Sequence, residues 1–563
     1  MMRWVDWAMP HLVIAPILLP MLTAALMLFF GEHRRNLKAG LGVVSTFMGL
    51  GLAIALLVWV KAQPEPAAFG IYLPGNWDVP YGIVLTVDRF SALMLLLAAI
   101  AGCAAMLFSV ARWHKAGVHF NPLLQIQLMG LNGAFLTTDL FNLFVFFEIM
   151  LAASYGLLLH GSGPTRVKSG LHYIAINLAA SSLFLVGVSM VYGVSGTLNM
   201  ADLAQRIPFT APEDVGLLHT GLAILAVAFL TKAALWPLNF WLVPAYSAAA
   251  APAACIFALL TKVGIYVLLR LSTLLFPPEA GASAGFGSDW LLWGGMATLG
   301  FGALGMLSSQ RPTRLAGYAV IMSSGTLMSA IGFGQVPITA AALYYLPSST
   351  LAICALFLLV ELVERSRDPE PGEQLAPEDE EDRLPFALAD LELGEDDVPE
   401  GVNLAEDETA LIGRAIPAAI AFLGLTFLCC TLLVAGLPPL SGFIGKFAIL
   451  SALLATGAPG MREWMLLSLL IVSGLFALIA MTRVGMRFFW APQGRTAPRL
   501  RVIECAPIVA LIALCVLFTI KAEPVMRYAR ATAQMLHDPA RYVDAVMSTK
   551  PRPGPVAMKE DSP

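Results

Sequence analysis

The chain has 563 residues, of which 58% are hydrophobic and 13% are charged, and its formal net charge is −4. Soluble domains contain about 45 to 50% apolar and about 25% charged residues, so this composition excludes an ordinary soluble fold. The mean hydropathy of +0.76 agrees with that exclusion and predicts a protein that resides in a membrane.

Apolar runs long enough to cross a bilayer recur along almost the whole chain. A helix needs about 20 apolar residues to cross the hydrocarbon, and the sequence predicts fourteen such spans, hence an all-α polytopic membrane protein. We place them at 9–30, 40–60, 89–111, 120–138, 140–160, 169–194, 215–242, 252–276, 289–309, 313–333, 337–363, 412–457, 463–490 and 502–521. The first run is predicted to be a helix and not a signal peptide, because further spans follow it without a small-residue cleavage site.

Basic residues mark alternate loops and predict the orientation. They follow spans one, three, five, nine, eleven and thirteen, whereas each loop after an even-numbered span holds at most one isolated basic residue. The positive-inside rule therefore places the basic loops in the cytoplasm and both termini outside. The basic C-terminal tail is the one exception. The residues that mark the cytoplasmic loops are Arg34, Arg35, Lys38, Arg112, Lys115, Arg166, Lys168, Arg311, Arg314, Arg365, Arg367, Arg487, Arg495, Arg499 and Arg501.

Three further features of the sequence do not predict a catalytic or binding site. The acidic stretch 368–409 is too polar to bury a core, so we predict a solvated cytoplasmic loop. The cysteines lack C-x-x-C spacing and the histidines lack i, i+4 pairing, so we predict no structural metal and no iron–sulfur cluster. The G-x-G-x-x-G pattern at 300–305 lies inside an apolar span, where small residues allow close helix packing.

Four ionisable side chains lie inside apolar spans. Glu148 ends the run LFNLFVFFE, and Lys232 lies in AFLTKAALWP. Lys262 lies in FALLTKVGIY, and Lys446 ends GLPPLSGFIGK. A charge at the bilayer centre costs roughly 2.5 to 3.5 kcal/mol on insertion scales, and such residues commonly mark ion or proton pathways. We predict that these four side chains move charge, with a structural role in joining helices as the alternative.

Two prolines interrupt apolar spans, Pro237 in span 215–242 and Pro438 in span 412–457. A proline inside a helix removes a backbone hydrogen bond and kinks the helix, and paired interruptions are typical of inverted-repeat transporters. Lys232 precedes Pro237 by five residues, and Lys446 follows Pro438 by eight. We predict that each break holds water beside its lysine, and that movement of Glu148 loads or unloads a proton there.

Several strings of the sequence resemble a known family. They are FEIMLAASYGLLLHG, LHYIAINLAASSLFL, GTLNMADLA, LTKAALWPLNFWLVPAYSAAAAP and GLPPLSGFIGKF. They resemble the D subunit of the Mrp-type monovalent cation/proton antiporter, also called Pha or Mnh, over most of the chain. The residue pattern is similar, more distantly, to the antiporter-like subunits of respiratory complex I and of membrane-bound hydrogenases. The resemblance makes Glu148 the glutamate of the fifth helix and Lys232 its partner on the broken seventh. It makes Lys262 the central lysine of the eighth helix and Lys446 the terminal residue of the broken twelfth.

The resemblance also implies a fold and a function. The fold has two inverted five-helix repeats, each with a proline-broken helix. The predicted divisions are helices one to three in 1–119, a first unit in 120–276, a second unit in 289–490 with the acidic loop 365–411, and the last helix and tail in 502–563. The implied function is proton movement coupled to export of Na⁺ or K⁺ across the bacterial cell membrane. It requires the other subunits of the antiporter complex, and it uses no cofactor, no nucleic acid and no enzymatic step.

The sequence departs from the family between Lys262 and Lys446. Relatives often carry histidine and lysine in the eleventh helix, whereas this chain has Ser348 and Ser349 there, which can support a water chain but store no proton. His172 is a candidate for a water chain beside Glu148 and equally a packing histidine.

Two other functions stay open. The chain could be a proton-pumping subunit of a complex I-like or hydrogenase redox complex, which neighbouring genes would reveal. Alternatively, it could be a non-transporting scaffold, in which case Glu148→Ala or Lys232→Ala would abolish assembly together with activity.

Overall fold

The computed structural model describes residues 2–31, 34–63, 68–113, 117, 119–161, 163–365, 418–455, 459–489 and 500–552. Strands β1 (Gly70–Tyr72) and β2 (Leu85–Val87) form an antiparallel pair. The helices are α1 (Met2–Leu28), α2 (Arg35–Ala62), α3 (Arg89–Ala111), α4 (Phe120–Leu136), α5 (Leu140–Leu158), α6 (Pro164–Ser195), α7 (Met200–Arg206), α8 (Val215–Lys232), α9 (Leu242–Ala248), α10 (Ala251–Leu275), α11 (Ser288–Ser308), α12 (Pro312–Gly332), α13 (Val336–Arg365), α14 (Ala418–Ala435), α15 (Ser441–Leu454), α16 (Met461–Phe489), α17 (Val502–Ile520), α18 (Ala522–Leu536) and α19 (Pro539–Met547).

Within these described ranges, thirteen helices are long and apolar enough to cross a membrane. They match thirteen of the fourteen predicted spans, and the remaining span corresponds to α4, which has only 17 residues. The prediction of an all-helical polytopic membrane protein is confirmed, with one unpredicted pair of short strands. The inverted relation of the two units and the domain boundaries stay predictions. The acidic stretch 368–409 lies outside the described residues.

Non-helical segments interrupt two of the spans, as the sequence predicts. The segment with Pro237 separates α8 from α9, and the segment with Pro438 separates α14 from α15. Gly436, directly after α14, has a φ of 76°, a left-handed conformation that glycine adopts without a Cβ clash. At the first break the backbone N–H of Trp236 donates to Thr298 Oγ1 of α11 at 2.9 Å. A neighbouring helix thus satisfies a donor that the break frees.

Helices α10, α12 and α13 form the centre of the bundle. Their most apolar windows are 100%, 89% and 94% buried, against 28% for α2 and α17. Polar side chains on these central helices therefore need partners inside the protein. Glycines allow the close packing, since a Cβ on Gly302 would lie 2.8 Å from the backbone nitrogen of Met322. This contact agrees with the packing role predicted for the glycines at 300–305.

Among the described residues, contacts at one end of the bundle join residues from loops that the sequence predicts to lie on the same side. At the end predicted to be cytoplasmic, Trp113 Nε1 donates to the Glu361 carboxylate at 2.9 Å. At the same end, Arg365 and Glu504 form a two-pronged ion pair at 2.8 Å.

The C-terminal helices α18 and α19 lie at the opposite end, where His537 Nε2 lies 3.0 Å from Thr339 Oγ1. Two arginines of the basic tail are balanced by acids, because Arg527 pairs with Glu523 and Arg541 with Asp538. The positive-inside rule counts basic residues and not net charge, so the tail stays an exception to it.

Candidate functional site

The first break brings Glu148 and Lys232 together. Glu148 on α5 accepts a hydrogen bond on Oε1 from Ser181 Oγ of α6. Lys232 is the last residue of α8, is only 4% exposed, and lies where the negative end of the helix dipole favours a cation. Its Nζ lies 5.3 Å from the centroid of the Phe147 ring and interacts electrostatically with Glu148. Among the described residues, Lys232 Nζ has no hydrogen-bond partner.

Tyrosine and serine hydroxyls extend from Glu148 toward the end predicted to be cytoplasmic. Tyr155 lies two turns along α5 and interacts electrostatically with Glu148. Its hydroxyl has no hydrogen-bond partner in the part of the chain that the structure describes. The Tyr155 ring packs edge-on against Tyr173, whose hydroxyl lies 2.8 Å from Ser154 Oγ. These groups can orient water on a route to Glu148.

Lys262 lies at the centre of the bundle. Its exposed fraction is 0%, and its Nζ donates to Ser324 Oγ of α12 at 3.5 Å, the outer limit of a hydrogen bond. An ammonium has three donors, so this contact does little to compensate a permanent charge. A Cβ on Gly264 would lie 2.9 Å from the backbone nitrogen of Ala233, so α10 passes directly beside the first break.

Five serines lie between the surroundings of Lys262 and the second break, and we call them the serine bridge. Ser323 Oγ lies 3.0 Å from Ser349 Oγ, which joins α12 to α13. Ser348 Oγ donates to Ser441 Oγ at 2.8 Å, which joins α13 to the first residue of α15. The Tyr345 hydroxyl also interacts with Ser323 and Ser349. The bridge consists of Ser323, Ser324, Ser348, Ser349 and Ser441.

Lys446 lies at the second break and is 6% exposed. Its Nζ donates to the backbone oxygens of Ala435 at 2.9 Å and Val434 at 3.3 Å. These are carbonyls of the last turn of α14, so the ammonium caps a helix end that attracts cations. A Cβ on Gly436 would lie 2.5 Å from Lys446 Cδ, so glycine leaves the space that the lysine side chain occupies.

The structure does not bring His172 to this set. It lies on the exposed face of α6, and its Nδ1 lies 3.0 Å from the backbone oxygen of Lys168. The neighbouring Tyr173 and then Ser181 form the buried face of the same helix. Successive helical residues point about 100° apart, so His172 faces away from Glu148. This placement does not support a water chain through His172, which stays a prediction.

Sequence reasoning missed a buried ion pair near the end of α10. Arg270 Nη1 lies 2.6 Å from Asp88 Oδ2, and both side chains are at most 8% exposed. Asp88 also caps α3 by accepting a hydrogen bond from the backbone N–H of Ser91. Although burial opposes ionisation, the guanidinium and these hydrogen bonds hold the pKa of Asp88 below its usual value. The sequence did contain an indication of this buried charge, because Arg270 lies in the apolar run YVLLRLSTLL.

Comparison with known proteins identifies the family. The family model described as NADH:quinone oxidoreductase/Mrp antiporter, TM matches residues 137–374, which include Glu148, Lys232 and Lys262. The D subunit of a probable K⁺/H⁺ antiporter of Rhizobium meliloti is 52% identical, with 98% of this chain and 99% of that protein covered. The chain belongs to the D-subunit family of Mrp-type cation/proton antiporters.

Two other members of this D-subunit family are named for sodium. The D subunit of the Na⁺/H⁺ antiporter of Alkalihalophilus pseudofirmus is 32% identical over 96% of this chain and 100% of that protein. The corresponding protein of Bacillus subtilis is 31% identical with the same two coverages.

Solved structures share the fold. A chain of the Mrp complex from Dietzia sp. has a TM-score of 0.79 at 23% identity, with 96% of this chain and 99% of that chain covered. A chain of respiratory complex I from Thermus thermophilus has a TM-score of 0.70 at 21% identity, with coverages of 95% and 100%. The fold is therefore shared with an antiporter-like subunit of complex I.

Proposed function

We propose that this chain is the proton-conducting D subunit of a multisubunit monovalent cation/proton antiporter in a bacterial cell membrane. Protons move along Glu148, Lys232, Lys262 and Lys446, and their movement is coupled to cation export. The serine bridge is the observation that carries the proposal. Its three separate contacts, Lys262–Ser324, Ser323–Ser349 and Ser348–Ser441, lie between the fully buried Lys262 and the break that holds Lys446, and they support this part of the route.

The first step is an exchange between Glu148 and Lys232. The ammonium of Lys232 has no hydrogen-bond partner among the described residues, and Glu148 is the acid with which it interacts. When Glu148 is ionised it stabilises the ammonium, and when Glu148 is protonated or displaced it no longer does so. The hydroxyl groups of Tyr155 and Ser154 supply a route by which Glu148 reloads.

The second step carries the proton from the first break to Lys262. Helix α10 packs directly on that break through Gly264, so Lys262 lies on a helix that adjoins the released proton. Ser324 accepts one long hydrogen bond from Lys262 and cannot form an ion pair with it. This partner favours a proton that binds Lys262 transiently over a permanently charged ammonium.

The third step crosses the serine bridge to Lys446. Serine hydroxyls both donate and accept hydrogen bonds, so they can pass a proton without storing it. Water molecules between neighbouring serines complete the route, as water-mediated contacts commonly do in polar interiors. Lys446 receives the proton while its ammonium is held by the carbonyls at the end of α14.

Potassium is the cation that we assign to the complex. The relative at 52% identity is named for K⁺, whereas the relatives at 32% and 31% are named for Na⁺. Each of these relatives is named as one subunit of an antiporter, so we infer that the chain works with further subunits and transports nothing alone. The proposed relay carries the proton only.

A vesicle assay of the complete complex tests this function. A pH-sensitive dye reports proton movement while K⁺, Na⁺ and Li⁺ are added in turn. We expect the largest response with K⁺ and its loss in Lys232→Ala, with the complex still assembled. Exposed Lys521 provides the matched control, because Lys521→Ala should leave the response unchanged. Loss of assembly in Lys232→Ala would favour a scaffold, and proton movement only with an added redox donor would favour a redox pump.

A further inference from the structure

One face of α10 carries a polar stripe that continues beyond Lys262. Lys262, Tyr266 and Arg270 are all buried and follow each other at four-residue spacing, which places them on the same side of the helix. Eight residues of α-helix rise about 12 Å. The stripe therefore leads from the centre of the bundle to the end predicted to be outside.

At that end, Arg270 is enclosed on several sides. Its guanidinium pairs with Asp88 at 2.6 Å and donates from Nη2 to Tyr266 OH at 3.3 Å. The rings of Phe90, Tyr266 and Tyr542 have their centroids 5.5, 5.5 and 5.3 Å from Arg270 Cζ. Tyr542 belongs to α19, so the C-terminal segment supplies one wall. The cavity beside Arg270 has a volume of about 10 Å³, which is about the least that one water requires.

We propose that the Asp88–Arg270 pair and Tyr542 form an outer seal, which stops protons on Lys262 from leaving along the α10 stripe. The proposal rests on the proposed function, because it requires a proton at Lys262. It gives the relay a direction, since a proton that cannot leave past Arg270 passes over the serine bridge.

Four properties of the seal support this role. Arginine stays protonated at accessible pH, so Arg270 cannot accept a proton and pass it on. Asp88 balances the positive charge, so the guanidinium can remain buried. The aromatic rings of Phe90, Tyr266 and Tyr542 exclude water from the space around the pair. Tyr266 OH donates to the backbone oxygen of Phe135 at 2.8 Å, so its proton is already committed to a fixed acceptor.

Removing both charges together tests the seal. Replacing a buried ion pair by uncharged groups is often neutral for stability, and Asp88→Asn keeps a residue type that caps helices well. We therefore combine Arg270→Met with Asp88→Asn in the complete complex. Passive proton entry into vesicles is measured after a pH jump without K⁺ or Na⁺. We expect entry about tenfold faster than in the wild type, which corresponds to a barrier lower by about 1.4 kcal/mol.

A matched control uses an exposed pair at the same predicted end. Arg462 Nη1 lies 2.8 Å from Asp289 Oδ1, and their side chains are 52% and 64% exposed. Arg462→Met with Asp289→Asn should leave proton entry at the wild-type rate. An equal rise in this control would show a general effect of charge removal and would overturn the seal.

Adding Lys262→Ala to the double variant distinguishes a proton leak that passes through the relay from a leak caused by damaged packing. The triple variant should return proton entry to the wild-type rate, because the leak starts at Lys262. A leak that persists without Lys262, or an unchanged rate in the double variant, overturns the seal. Neither result affects the relay, which is tested separately by whether Lys262→Ala alone retains antiport. If the double variant does not assemble, proton entry is measured in Tyr542→Ala instead. Faster entry than in the wild type would support the seal, and an unchanged rate would overturn it.

Discussion

Replacing Lys262 with arginine tests whether this residue must release a proton. Arginine keeps the positive charge and can still donate to Ser324, which is the hydrogen-bond partner of Lys262 at 3.5 Å. A role limited to positive charge would therefore survive the change. A role in proton exchange would not, because arginine does not deprotonate in proteins.

The expected loss of proton release follows from the difference in pKa between lysine and arginine at the same position. The ordinary pKa is about 10.4 for lysine and about 12.5 or higher for arginine, a difference of at least about 2 units or roughly 2.9 kcal/mol. Both side chains would occupy the same fully buried position, so burial disfavours both cations and leaves most of that difference in place. Releasing the proton becomes at least about a hundredfold harder.

The assay is K⁺-driven antiport in vesicles that contain the complete complex. We expect Lys262→Arg to lose at least about 99% of antiport, nearly as much as Lys262→Ala, while the amount of assembled complex stays at the wild-type level. Lys521→Arg, at an exposed position, serves as the matched control. Full antiport in Lys262→Arg would refute proton exchange at this residue.

Three further substitutions have distinct expected results. Ser348→Ala removes the hydroxyl that donates to Ser441 at 2.8 Å, and antiport should fall about tenfold, as a barrier raised by about 1.4 kcal/mol gives. Gly436→Ala places a Cβ 2.5 Å from Lys446 Cδ in a left-handed conformation that costs roughly 1 to 2 kcal/mol, so both thermal stability and antiport should fall. His172→Ala should change stability by no more than about 0.5 kcal/mol and leave antiport intact.

Each of these results has a contradicting outcome. Wild-type antiport in Ser348→Ala would remove the serine bridge from the path. Gly193→Ala is the control for Gly436→Ala, because a Cβ on Gly193 meets no atom within 4 Å, and an equal loss in both variants would contradict a specific effect on Lys446. Lost antiport in an assembled His172→Ala complex would contradict its placement on the exposed face of α6.

The sequence predicted the parts of the fold that depend on local chemistry. Apolar length predicted the membrane spans, and Pro237 and Pro438 predicted the two breaks, because both signals act within a few residues. Burial of Lys232 and Lys262 followed from the same local reasoning, since each lies in a continuous apolar run.

The remaining features depend on contacts between distant residues. Ser348 carried no signal that it would meet Ser441, because a hydrogen bond between helices depends on their packing. The Asp88–Arg270 pair likewise joins α3 to α10. The side of α6 on which His172 lies could not be predicted for a different reason: a difference of one residue turns a helical side chain by about 100°, and the sequence alone did not fix which face of α6 is buried.

The most direct test of the relay is a simultaneous record of proton and K⁺ fluxes through the complete complex with Glu148→Gln. Glutamine has nearly the same shape and can still accept the hydrogen bond from Ser181, but it cannot ionise. The relay predicts that both fluxes fall to the level of vesicles without the complex while assembly is unchanged. Coupled fluxes at the wild-type rate would contradict it.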